Sequence, residues 1–189
     1  WVKQAIKDGR FGRVLSARFR RVAEPPAWGQ KSFLDGTKSG GALLDLHIHD
    51  ADFVQFCFGT PKSIYAQGHS KVSGEIDHVL AQYEVNCGAT VSAEGSWTMT
   101  KGFGFSMEYT VNFERATADF DNTRGDDCLK LYQEDKEPET LKLNGPDGYA
   151  GQIAHLVECI LKGKPPSIVT AADGVSSVEL CEATKRSIE

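Results

Sequence analysis

Between residues 63 and 143 the chain carries a succession of short runs rich in β-branched and aromatic residues, at 63–67, 78–85, 90–97, 103–112, 117–120, 129–133 and 140–143. The second run alternates cleanly. Val79, Ala81, Tyr83 and Val85 take one face, and His78, Gln82 and Glu84 take the other. Asn86-Cys87-Gly88-Ala89 is a good hairpin turn into the next run. A parallel crossover needs a dozen or more residues, so runs joined by short turns predict an antiparallel meander. This is the strongest constraint on what the chain can become.

The flanks are helical. Trp1, Val2, Ala5 and Ile6 predict a short helix over 1–11, stopped by Gly9, and 13–22 reads as a strand with one wet face. Residues 24–40, with Pro25, Pro26, Trp28, Gly29, Gly36 and Gly40, form a long loop of the kind that often carries function. A helix over 42–58 ends at Gly59, with Pro61 beyond it. Two helices close the chain, over 149–161 and over 171–188, the latter capped by Thr170 with Asp173 in its first turn. The order predicts an α+β fold: one domain over 1–189, a broad, mainly antiparallel, open-faced sheet with helices on one face. The uncovered face is then either polar or a subunit interface.

Composition narrows the function. At 189 residues the chain can bury a core without staples. A net charge of -5 argues against a nucleic-acid or anionic-membrane partner. No apolar run reaches the roughly 20 residues that span a bilayer. Five widely spaced cysteines without a CxxC read as reduced thiols in a cytoplasmic setting, with any signal region outside the chain.

The chemistry lies in the 42–58 helix. It is apolar nearly all round, which predicts burial, yet it carries Asp45, His49 and Asp52. At about 100° per residue these three share a stripe roughly 60° wide. Buried charge is costly unless paired. Asp45, one turn before His49, can bond the imidazole, fix its tautomer and favour its protonated form, as a general acid/base requires. A structural triplet is the alternative. His47 and His49 lie about 200° apart on a helix, which counts against a metal pair. Lys38 and Lys31 are candidates to bind a substrate anion, Trp28 to stack on a ring, and Tyr149 to reach a cleft.

The ordered set Gly40-Gly41-x-x-x-Asp45-x-x-x-His49-x-x-Asp52 resembles the substrate-domain motif of the Gfo/Idh/MocA family. Ala5-Ile6-Lys7-Asp8-Gly9-x-x-Gly12-Arg13-Val14 resembles that family's entry into the second domain. Gly59-Thr60-Pro61 resembles its exit from the motif helix, and 153–167 with the following helix its carboxyl end. The resemblance implies an oxidoreductase that uses NAD or NADP and moves hydride to or from a hydroxyl-bearing carbon of a sugar or cyclitol. It implies His49 as the catalytic histidine and Asp45 as its partner. Asp52, Trp28, Lys38 and Tyr149 are the expected substrate contacts. No cofactor-binding or metal-binding residue is expected in this chain. The family's Gly-rich dinucleotide loop and its Lys-Pro motif are not found here, so 1–11 reads as a linker helix from a dinucleotide-binding domain, and the isolated chain is expected to be inactive. A homodimer or homotetramer through the sheet face is expected. The rival readings are a non-catalytic sheet module for assembly or ligand sensing and, more distantly, a zinc-dependent hydrolase.

Overall fold

A computed structural model describes residues 1–189, the side chain of Gln30 excepted. Eight strands form one sheet: β1 (Val14–Ala23), β2 (Ser63–His69), β3 (His78–Glu84), β4 (Thr90–Ser96), β5 (Phe105–Phe113), β6 (Ala116–Asp121), β7 (Leu129–Gln133) and β8 (Glu139–Thr140). The helices are α1 (Val2–Lys7), α2 (Gln30–Phe33), α3 (Gly36–Ser39), α4 (Ile48–Phe58), α5 (Gly148–Leu161) and α6 (Ala171–Ile188). The fold is α+β with an open, mostly antiparallel sheet. Among the described residues no helix is long and apolar enough to cross a membrane.

The meander is not continuous. The strand order is β2-β3-β4-β1-β5-β6-β7-β8, so β1 separates β4 from β5 and runs parallel to β4. The physical reason is the burial that β1 demands. Ala17 and Phe19 on its inner face are almost fully covered, and the central position supplies ladder partners on both sides. The link from β4 to β5 crosses the end of β1, where Met99 N–H donates to the Ala23 carbonyl and Glu24 N–H to that of Gly104.

The inner sheet face and the helices make the core. Phe19, Val79, Ala81, Val91, Ala93 and Val111 meet Leu43, Ala51 and Val54. Helix α6 lies on α4 and β2, held by Leu180 and Cys181, and a reciprocal capping box between Thr170 and Asp173 fixes its start. The outer face is polar at its centre. Arg20 bridges Glu94 on β4 (3.2 Å) and Glu108 on β5 (2.9 Å). Helix α5 differs from α6: Cys159 is its one buried residue, and Ile153, Leu156 and Ile160 stay exposed.

Candidate active site

Two glycines open the site. Gly40 and Gly41 both have positive φ, 73° and 69°. A Cβ on Gly41 would stand 2.5 Å from the Ile76 carbonyl oxygen, so only glycine lets the chain pass this close before turning into the helix. Leu43 N–H then donates to that same carbonyl at 3.2 Å.

The expected 42–58 helix is interrupted at its start. Leu43–His47 winds as a π turn, and regular α-helix begins at Ile48. The wider π winding changes the phase between Asp45 and the residues that follow. The three-residue stripe is therefore divided. Asp45 and His49 face a cavity of about 670 Å³. Asp52 turns toward α6 and accepts a hydrogen bond from Ser177 Oγ at 2.8 Å.

Trp28, Phe33, Trp97, Phe105 and Tyr149 supply the cavity's aromatic walls. Trp28 meets Phe33 edge to face at 4.6 Å, and Phe33 meets Trp97 likewise at 6.2 Å. Trp28 and Tyr149 keep 70% and 79% of their surfaces exposed, so both rings are available to a ligand. Lys38 does not line the cavity: it is bound at 2.6 Å to Asp35, the residue that precedes α3. Sequence reasoning thus identified Asp45, His49, Trp28 and Tyr149 as candidates, and the fold brings these four together. It leaves Asp52 and Lys38 elsewhere.

Arg21 and Asp50 were missed. Asp50, next to His49, is only 4% exposed and accepts from Arg21 Nε and Nη2 at 3.1 and 3.2 Å. A signal existed: Arg21 falls on the same face of β1 as buried Ala17 and Phe19, and a charge there needs a partner. Burial pushes the Asp50 carboxyl up, while the Arg21 charge and hydrogen bonds pull against that shift.

The electrostatics correct one expectation. Asp45 and His49 feel each other's charge, but no hydrogen bond joins them. Removal from water holds His49 below the ordinary imidazole range, and the Arg21 guanidinium adds to the effect. Asp50, Asp45 and Asp52 oppose it without prevailing. The environment therefore favours the neutral imidazole rather than the protonated one. Burial raises the Asp45 carboxyl, with His49 pulling the other way.

His47 faces away from the cavity. It is fully buried against β4, where a Cβ on Gly95 would lie 2.6 Å from its own, and its Nε2 meets the Tyr83 hydroxyl at 2.9 Å. The two histidines therefore serve different sides of the helix, one in the core and one in the cavity.

Fold and cavity together define the class: an open-faced α+β sheet domain with an aspartate and a histidine lining a cavity on its helical side. The profile described as the GFO/IDH/MocA C-terminal domain matches residues 1–119, more than half of the chain, and the protein belongs to that family. The whole chain is 26% identical to myo-inositol 2-dehydrogenase of Thermotoga maritima, spanning 58% of that protein. Over 94% of its length it is 24% identical to scyllo-inositol 2-dehydrogenase (NAD(+)) of Bacillus subtilis, spanning 53% of it. Its fold matches levoglucosan dehydrogenase solved with NADH and levoglucosan, with a TM-score of 0.81 at 18% identity over 99% of this chain and 60% of the other. The chain thus spans a little over half the length of the relatives it matches.

Proposed function

We propose that this chain is the substrate-binding half of an NAD- or NADP-dependent dehydrogenase that acts on a hydroxyl-bearing carbon of a sugar or cyclitol. The observation that carries the reading is the placement of His49 and Asp45 together in an aromatic-walled cavity, in a member of a family whose relatives are named for inositol and levoglucosan. A neutral imidazole open to a cavity supplies the proton transfer that must accompany hydride transfer to or from a nicotinamide, and this is what fits the site to such a cofactor. When bound, the cofactor accepts or supplies hydride at the substrate carbon.

The residues of this chain handle the proton. Burial holds His49 toward its neutral form, the paired Arg21 and Asp50 charges acting on it in opposite directions, so its free ring nitrogen accepts the hydroxyl proton as the alcohol becomes a carbonyl, and returns it in reverse. The Asp45 carboxylate stands close enough to stabilise the imidazolium that forms. Trp28 and Tyr149 cover the ring faces of the substrate and exclude water.

The test is kinetic, on the full-length gene product. His49→Ala is expected to lower kcat about 100- to 10,000-fold with the fold intact. Wild-type alcohol oxidation is expected to be flat above neutral pH and to fall as the pH drops below the ordinary imidazole value of 6.5, where His49 takes up its proton. Near wild-type turnover by His49→Ala sinks the assignment.

Assembly through the open sheet face, as a dimer or tetramer, is part of the same reading. Its support is that α4 and α6 cover the other face, while Tyr65 and Leu80 remain exposed on this one. Light scattering is expected to give a closed oligomer, and monomer alone at high micromolar concentration counts against it.

A further inference from the structure

The charge balance of the cavity says which sugars it takes. Among its described lining residues Arg21 is the one cation, and that charge is already answered. Nε and Nη2 are spent on the two oxygens of Asp50, and a carboxylate held this way neutralises the guanidinium. Three of its five N–H donors remain, enough to donate to hydroxyl oxygens but without an uncompensated charge behind them. The other charged groups facing the cavity are the carboxyl groups of Glu24 and Asp45. Lys38, the cation best placed by sequence, is held on Asp35.

An anion entering this space meets carboxylates and finds no free cation on this wall, and like-charge juxtaposition in a partly dry site is costly. A polyol finds the opposite. Its hydroxyls donate to Glu24 and Asp45, accept from Arg21, and its C–H faces lie on Trp28 and Tyr149. We propose that the cavity selects an uncharged polyhydroxylated ring over its phosphorylated, nucleotide-linked or carboxylate-bearing counterparts, and that the Arg21–Asp50 pair together with Glu24 makes the choice. This rests on reading the cavity as the substrate site. Arg21 is a specificity-determining residue because Asp50 withholds its charge, not because it binds an anion.

Matched ligands separate the two claims. Saturation-transfer NMR on the full-length protein, without cofactor, reads binding of myo-inositol against its monophosphate and of glucose against glucuronate. In the wild type the neutral member of at least one pair is expected to bind, and its anionic counterpart at least roughly tenfold more weakly. Asp50→Asn releases the Arg21 charge and is expected to improve anion binding by roughly tenfold or more. Glu24→Gln removes a cavity carboxylate, leaves the core pair untouched, and is expected to shift the ratio in the same direction; it decides the matter if Asp50→Asn fails to fold. A wild type that prefers the anions, or a ratio unmoved by the variants that fold, overturns the proposal while leaving the cavity a sugar site. If neither member of either pair binds, and neither is turned over when cofactor is added, the substrate-site reading falls and this proposal with it.

Discussion

His47 is expected to make the protein's stability depend on pH in a window set by its burial. The residue has no exposed surface, and its Nδ1 finds no hydrogen-bond partner among the described residues. Removal from water pushes its pKa from 6.5 down to about 4. Between those values the unfolded chain binds a proton that the folded chain refuses. The folded-state contribution is therefore complete above about pH 6.5, declines as the pH falls toward 4, and changes little below. Two and a half pH units at about 1.4 kcal/mol each make about 3 kcal/mol, of which about 2 is gone by pH 5. His47→Gln keeps a polar group within reach of the Tyr83 hydroxyl but cannot titrate. Urea unfolding of both proteins at pH 7, 6, 5 and 4.5 isolates the effect, because carboxylates and the other histidines titrate alike in each. The wild type is expected to lose stability relative to the variant as the pH falls, by about 2 kcal/mol at pH 5. Parallel curves for the two proteins refute the reasoning.

Two further outcomes follow from packing. Gly95→Ala drives a methyl to 2.6 Å from His47 Cβ, in a wall that cannot yield, and is expected to cost about 1–3 kcal/mol, read as a lowered Tm. Cys57 and Cys181 are buried thiols pushed up to about 12, so iodoacetamide at pH 8 is expected to spare both and to label exposed Cys87, as mass spectrometry of the native protein reads directly.

Much of this molecule was legible in one dimension. Alternating runs with short turns specify strands locally, and glycine, proline and capping residues specify where helices stop and start, because these are contacts between near neighbours in the chain. The motif helix was legible for the same reason: Asp45 and His49 stand out as charge on an apolar surface. The position of β1 was not legible. Nothing in 13–22 says that it enters between β4 and β5, since its ladder partners lie far along the chain. Nor was the π turn, which separates Asp52 from the cavity by winding the first turn more widely than the 3.6-residue period assumes. The sequence by itself determined the strands and the longer helices, though not the short α2 and α3 inside the expected loop of 24–40, and it singled out His49 and Asp45 as the polar residues of an apolar helix. Only the tertiary structure decided what surrounds them: the Arg21–Asp50 pair beneath His49, the aromatic wall from Trp28 to Trp97, and the loss of Lys38 to Asp35. Those contacts join residues tens of positions apart, and the proton affinity of His49 depends on how deeply they bury it and how near they bring a charge.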